Sequence, residues 1–346
     1  MLWILSLLVI IALGISFLGW WFSTPGYDGP SSDHFNGTTF ENISDVEAKG
    51  FFDLIKWSFS RDEGEWAKLT DEDVSFAEKP SPTVDNSLAI TFVNHATFLI
   101  QTNELNILTD PVWSDRVSPL SFAGPERMRP PGLKFEDLPE IDIVLISHNH
   151  YDHLDIETLK KLDSVYSPEF IVPLGVDLYL NREGISNTTS LDWWEAKPAS
   201  ESISITSVPA QHFSARGLFD RNKTLWAGYV LETGYGNVYF AGDTGYGDFF
   251  KEIGEKFNSI TVGLIPIGAY KPEWFMGPIH VNPEEAIQAH KDLNAEISFG
   301  MHFGTFPLAD DGMKEPINDF TEAMQKPENT GVNFKLLTEG DSFVLQ

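Results

Sequence analysis

IDIVLISHNHYDH, residues 141–153, runs from a strand into a set of metal-ligand side chains, and the rest of the chain is read outward from it. Six of the seven residues from Ile141 to Ser147 are apolar or small. A continuous apolar run of that length fits a strand covered on both faces. Behind it stand His148, His150, Asp152 and His153, four potential ligands within six residues. If the strand stops near Ser147, pleating sends His148 and His150 the same way, while Asp152 and His153 in the following turn can face a second direction. Two imidazoles plus a carboxylate–imidazole pair at that spacing can seed two adjacent cation sites. A lone histidine is more often a satisfied core or surface residue, but three histidines and an aspartate directly behind an apolar strand do not fit that bland reading.

The runs LAITFV, ATFLIQ, LNILTD and IDIVLIS are followed later by ISITSV, NVYFAGD, ITVGLIPIG and ISFGMH. All are short and rich in β-branched residues, and turn-like or polar residues bound most of them. Helix candidates fall at 156–162, 249–257, 283–293 and 314–324. Two sheets flanked by helices accommodate this count, giving a layered α/β domain over residues 86–346. Further ligands recur at strand ends: His212 follows ITSVPAQ, Asp243 follows VYFAG and His302 follows ISFGM. Singly each has an ordinary alternative, Asp243 shaping a turn and the two histidines bonding backbone. Together they repeat one pattern, a strand and then a ligand. Nitrogen and carboxylate donors without sulfur suit borderline-soft Zn²⁺, with iron or manganese also compatible.

Charge narrows the partners. The chain has 346 residues with 51 Asp+Glu against 23 Lys+Arg, a formal net charge of −28, and no Cys. So acidic a surface repels a phosphate backbone, which argues against nucleic-acid binding. Cysteine-based zinc sites, catalytic thiols and disulfides are excluded outright. With 42% apolar and 13% aromatic residues a large core can form.

Residues 1–22, MLWILSLLVIIALGISFLGWWF, carry no charged side chain. As a helix they span roughly 33 Å, enough for a bilayer core of about 30 Å. A cleavable signal peptide competes with a retained anchor, but a basic start and a small-x-small cleavage site are not evident, and Trp20, Trp21 and Phe22 resemble an interfacial aromatic belt. Asp28, Asp33, Glu41, Asp45 and Glu47 follow, and the next cation is Lys49, so nothing basic holds that side in the cytoplasm and the catalytic part is expected outside it. Residues 23–85 read as a connector with a short amphipathic helix around 51–59, either a solvated tether or a segment whose Phe and Trp pack on the domain.

The ligand set is the signature of the metallo-β-lactamase fold, and the chain resembles one branch in particular, the phospholipase D family that hydrolyses N-acyl-phosphatidylethanolamine. NHATFLI, LTDPVWSDRVSP, LISHNHYDHLD, LDWWE, RGLFDRNKTLWAGYVLE, YFAGDTGY, IPIGAYKPEWFM, HVNPEEA and MHFGTFPLA carry the likeness along nearly all of 90–345. The resemblance implies an α/β fold, the metallo-β-lactamase-like αββα sandwich, here with an N-terminal transmembrane helix. It places His148, His150 and His212 on one zinc ion and Asp152, His153 and His302 on the other, with Asp243 bridging. It makes Asp110 an orienting partner of a ligand histidine, where a turn-capping Asp is the alternative. It also implies a homodimer.

Paired cations about 3.5–4 Å apart can hold a bridging hydroxide for in-line attack on phosphorus. In the resembled family the products are phosphatidic acid and an N-acylethanolamine, so the phospholipid substrate and the membrane are the expected partners. Asp152 and Asp243 would serve catalysis as ligands. His280, just before a helix capped by Asn282, either approaches the phosphate or leaving oxygen or is structural. His95 reads as an orienting or packing residue, and His34 and His290 as surface or structural. Trp274, Phe275 and Met276 either touch acyl chains or belong to the core. A lactonase or a phosphodiesterase for soluble substrates is the enzymatic alternative. A non-catalytic membrane scaffold is a third reading, and it predicts missing ligands where none is missing.

Overall fold

Alternate residues of the first strands enter different cores, which explains their unbroken apolarity. The computed structural model describes residues 2–44, 46, 49–102 and 105–346. Met1, Asp45 and Glu47, read above as part of the span and of the acidic segment after it, lie outside them. Strands β1 (Leu88–Asn94), β2 (Thr97–Gln101), β3 (Asn106–Thr109), β4 (Ile143–Leu145), β5 (Glu169–Pro173) and β6 (Thr188–Leu191) pair in sequence order. The pairing is antiparallel from β1 to β3 and parallel from β3 to β6. The second sheet holds β7 (Ala196–Pro198), β8 (Ser204–Val208), β9 (Gly228–Thr233), β10 (Gly236–Phe240), β11 (Ile260–Pro266), β12 (Ala295–Met301) and β13 (Phe334–Lys335), also in sequence order. It is antiparallel to β10 and parallel beyond it. The last strand, β14 (Ser342–Leu345), returns to pair with β1, so both sheets have seven strands.

Ile90, Phe92, Ile107, Leu145 and Ile171 of the first sheet meet Leu231, Tyr239, Leu264 and Phe299 of the second between the sheets. Their neighbours Val93, Leu108, Val144 and Phe170 point the other way, onto the Leu159–Leu162 face of α3 (Ile156–Tyr166) and onto Leu180 of α4 (Val176–Arg182). Helices α5 (Phe249–Lys256), α7 (Pro283–Asp292) and α8 (Glu315–Met324) cover the second sheet through Phe250, Ile253, Ile287 and Phe320, and the short α6 (Glu273–Met276) precedes α7. The layers are therefore helix, sheet, sheet, helix. Truncating a central side chain such as Leu145 to Ala costs about 2–5 kcal/mol through lost transfer and an unfilled cavity.

Two N-terminal features complete the chain. Helix α1 (Leu2–Phe22) is long and apolar enough to cross a bilayer, with a mean hydropathy of 2.2 over Leu5–Phe22. The residues from Trp3 to Leu18 whose side chains are described are exposed. Within 23–85, Phe35 and Phe40 are fully buried with Trp193 and Trp226 of the sandwich, so the packed reading holds for them. Helix α2 (Phe51–Phe59) forms where the amphipathic pattern places it, stacking Trp57 on Phe275 at 4.9 Å and leaving Phe52 and Phe59 exposed.

One local expectation is corrected. The β4 ladder ends at Leu145, not near Ser147: Ile146 N–H still donates to Ile171 of β5, but Ser147 N–H turns away to the Asp110 carboxylate. His148 and His150 therefore sit in a bend, and pleating does not aim them.

Candidate metal centre

Parallel pairing of β3 and β4 brings Asp110, just past β3, beside Ser147. Asp110 Oδ1 accepts from Ser147 N–H at 2.7 Å, and Oδ2 accepts from Ser147 Oγ at 2.5 Å and His153 Nδ1 at 2.6 Å. That contact places a proton on Nδ1 and turns His153 Nε2 inward, the arrangement in which a carboxylate orients a ligating imidazole. The bend folds His148 Nε2 to 2.8 Å from His150 Nδ1, and His212 Nε2 comes to 3.3 Å from the same atom. His212 is set from both sides, its Nδ1 3.0 Å from the Ile279 carbonyl and its main chain clasped by Asn42, which donates from Nδ2 to its carbonyl and accepts its N–H at Oδ1.

Asp243 stands between the two nitrogen groups. Its Oδ2 lies 3.1 Å from His153 Nε2, 3.8 Å from His212 Nε2 and 4.0 Å from His148 Nε2, while Oδ1 is 3.2 Å from His302 Nε2. Asp152 Oδ2 is 3.2 Å from both His153 Nε2 and His302 Nε2. The structure thus gathers all seven residues expected as ligands: His148, His150, Asp152, His153, His212, Asp243 and His302. With His95 and His280, seven of the nine histidines of the chain meet here, in groups whose ligand atoms lie within 4.8 Å of one another.

The electrostatics differ across the cluster. Burial pushes His150 and His212 down to about 3 and His148 well below its ordinary value, so three neutral imidazoles face one another. Burial also opposes charge on His302 and His153, but Asp243, with Asp152 beside both and Asp110 beside His153, outweighs it, lifting His302 to about 9 and His153 well above the usual range. Neutral His150 carries a single ring proton, while its Nδ1 faces the Nε2 atoms of both His148 and His212. Buried Asp243 Oδ1 and the Nδ1 atoms of His95, His280 and His302 have no hydrogen-bond partner among the described residues. A nitrogen and carboxylate donor set with such orphans fits metal ions.

Of the two readings of His95 the orienting one holds, whereas sequence reasoning misses Asn42. His95, on the β1–β2 turn with φ 50°, is not merely packed: its Nε2 is 3.0 Å from Asp152 Oδ2. Its only signal is a histidine on a tight turn, which occurs for many reasons. Asn42 lies in the connector and carries no signal at all. His280 enters the cluster, with Nδ1 3.9 Å from Asp243 Oδ2 and its ring 5.1 Å from His212. Its helix is capped as expected: Asn282 Oδ1 accepts from Glu285 N–H and Glu285 Oε2 from Asn282 N–H. His34 and His290 are elsewhere and buried, His34 stacked on Trp193 at 4.4 Å and His290 Nδ1 2.8 Å from Ser298 Oγ.

A cavity of about 780 Å³ opens over the cluster. His150, Asp152, His212, Asp243, His280 and His302 line it, and Leu54 and Trp57 of α2 together with Phe275, Met276, Ile279 and Leu308 make it largely apolar. Trp274, by contrast, is half-exposed beneath the Lys56 ammonium.

A family model described as the beta-lactamase superfamily domain matches residues 105–303. The chain is 42% identical over 257 residues to N-acyl-phosphatidylethanolamine-hydrolyzing phospholipase D 1 of Caenorhabditis elegans, covering 71% of this chain and 72% of that one. It is also 42% identical over 221 residues to the mitochondrial N-acyl-phosphatidylethanolamine-hydrolyzing phospholipase D of Saccharomyces cerevisiae, spanning 62% of this chain but 47% of the yeast protein. Among solved structures, the metallo hydrolase Igni18 of Ignicoccus hospitalis shares the fold, with a TM-score of 0.57 at 22% identity over 75% of this chain and 99% of its own. The chain belongs to the β-lactamase superfamily, as a metal-dependent hydrolase of the family that contains the N-acyl-phosphatidylethanolamine-hydrolyzing phospholipases D.

Proposed function

We propose that the chain is a membrane-anchored dizinc phosphodiesterase of phospholipase D type, hydrolysing N-acyl-phosphatidylethanolamine to phosphatidic acid and an N-acylethanolamine. The observation that carries this reading is a buried His/Asp cluster at the floor of a large apolar cavity. A polar centre handles a phosphodiester, and an apolar wall suits acyl chains. His148, His150 and His212 would hold one zinc ion and Asp152, His153 and His302 the other, with Asp243 shared. When bound, the ions supply a water that deprotonates near neutral pH and positive charge for the phosphodiester.

The residues around that centre do the positioning. Asp110 keeps His153 Nε2 directed inward, the Ile279 carbonyl and Asn42 do the same for His212, and His95 steadies Asp152. His280 presents an unpartnered Nδ1 at the cavity wall and would contact the phosphate or the leaving oxygen of the ethanolamine. Residues 1–22 would form the anchor, 23–85 the extension that walls the cavity and 86–346 the hydrolase, which faces away from the cytoplasm. Phe52, Phe59, Leu218 and Phe219 are exposed and would add apolar surface for contact with a bilayer.

Metal analysis combined with lipid hydrolysis, on the full chain and on a form lacking residues 1–22, tests this. Two zinc ions per chain and release of N-acylethanolamine are expected. Because a charge of −28 repels anionic lipid and screening sets in beyond about 8 Å at physiological salt, the deletion should hurt most on anionic vesicles at low salt. Equal loss at every salt concentration removes the electrostatic part of the proposal. Metal-loaded protein that leaves the lipid intact yet opens a lactone selects the alternative hydrolase.

A further inference from the structure

Arg221 lines the same cavity as His150, His212, Asp243 and His302. Its guanidinium lies 4.2 Å from the centre of the Phe213 ring, and that ring packs on His150 and His212 at 4.5 and 5.0 Å. The other six arginines are accounted for. Arg61, Arg116, Arg129 and Arg182 face carboxylates, while Arg127 and Arg216 donate to backbone carbonyls. Among the described residues Arg221 has neither an ion pair nor a hydrogen bond from its side chain, and the lowering of its pKa by burial is offset by no carboxylate. In a chain with 51 acidic residues an arginine without a counter-charge, beside a cluster expected to bind an anion, is out of pattern.

The loop bearing it is fixed. Asp220 accepts from Thr24 N–H at 2.8 Å, Arg216 N–H at 3.1 Å and Gly217 N–H at 2.9 Å, and Asn222 N–H donates to Ser214 at 2.8 Å. The same loop docks on the end of α1, where Leu218 N–H meets the Gly19 carbonyl at 3.3 Å and Phe219 N–H meets Ser23 Oγ at 3.2 Å. A planar guanidinium stacked on one ring keeps its edge donors free, and that fork matches two phosphate oxygens.

We propose that Arg221 is a substrate-binding residue that holds the non-bridging oxygens of the lipid phosphodiester at the cavity wall. The assignment of the anion to a lipid rests on the function proposed above, while the phosphate chemistry does not. Full-length, metal-loaded protein is compared with Arg221→Gln and Arg221→Lys by three measurements: calorimetric binding of inorganic phosphate, kinetics on bis(p-nitrophenyl) phosphate, and kinetics on N-acyl-phosphatidylethanolamine in phosphatidylcholine vesicles.

Arg221→Gln should weaken phosphate binding and raise KM for both phosphodiesters about 10- to 100-fold, the scale of a charge-assisted contact, with kcat and metal content close to wild type. Arg221→Lys should recover part of the loss, because a point charge replaces a fork. Wild-type phosphate affinity and KM in Arg221→Gln overturn the proposal, and so does a fall confined to kcat. Weakened phosphate binding with an unchanged KM for the lipid overturns the lipid assignment and leaves a soluble phosphate ester as the ligand. If wild-type protein cleaves bis(p-nitrophenyl) phosphate but not the lipid, the proposed function fails while the phosphate and soluble-ester measurements still judge Arg221. Should Arg221→Gln not fold, unchanged phosphate affinity in Arg221→Lys overturns the two-pronged contact.

Discussion

The two sheets contribute to the metal centre in opposite ways. The first delivers His148, His150, Asp152 and His153 in one loop behind β4, oriented by Asp110 at the neighbouring strand end. The second delivers His212, Asp243 and His302 one at a time, past the ends of β8, β10 and β12. Local chain geometry sets the spacing within the first group. Spacing within the second group, and between the groups, depends on how the sheets register across their shared core. The centre is therefore only as well formed as the contact between halves.

Asp243→Asn breaks the comparison most severely, because it removes the charge of a carboxylate that faces both nitrogen groups. Turnover should fall by at least about 10²- to 10³-fold, the scale of losing a preorganised electrostatic contact, and bound metal should drop while the fold persists. Elemental analysis beside an activity assay checks both, and retained activity contradicts the shared-ligand role.

The contact between halves can be attacked directly. Gly242 precedes Asp243 at φ 60°, and a Cβ there would meet Ser147 Cβ, next to His148, at 2.5 Å. Gly242→Ala should cost about 1–3 kcal/mol for overpacking, with a further ~1–2 kcal/mol for the left-handed conformation. It should also lower metal occupancy, although it changes no ligand. Wild-type melting and wild-type metal content in this variant would remove registration through Gly242 from the account.

The same asymmetry decides what could be read from the sequence. His148 to His153 are legible because their proximity is sequential, and the continuous apolarity of 141–147 already states that both faces are covered. His212, Asp243 and His302 are legible only as a repeated pattern, since nothing local says that their strand ends converge. The ladder at β4 is shorter than its apolar run because neighbouring strands, not propensity, set its length. Short strands such as β13, with two residues, and β7, which ends in Pro198, carry too little periodicity to detect. Asn42 is invisible because its partner is 170 residues away.

Within the first group, Asp110→Asn tests the support beneath the ligands. The amide can still accept from Ser147 but loses the charge that holds the His153 proton on Nδ1. A loss of about 10- to 100-fold in metal affinity is expected, as for other partners of ligating histidines, with melting changed little. Competition with a zinc chelator measures it. An unchanged affinity would return Asp110 to the role of a turn-capping residue.

Asn42→Ala asks the matching question of the second group and should have the smallest effect. Asn42 bonds the main chain of His212 twice and accepts from Trp226 Nε1 at 3.1 Å, but the His212 ring keeps its own contact with Ile279. Losing the clasp should cost about 1–3 kcal/mol of stability through unpaired buried groups. The ring would lose only part of its aim, so metal affinity should fall less than in Asp110→Asn. If it falls further, the extension is a working part of the metal centre and the dispersed half is the more fragile one. If neither stability nor affinity changes, water replaces the amide and the sandwich alone places His212.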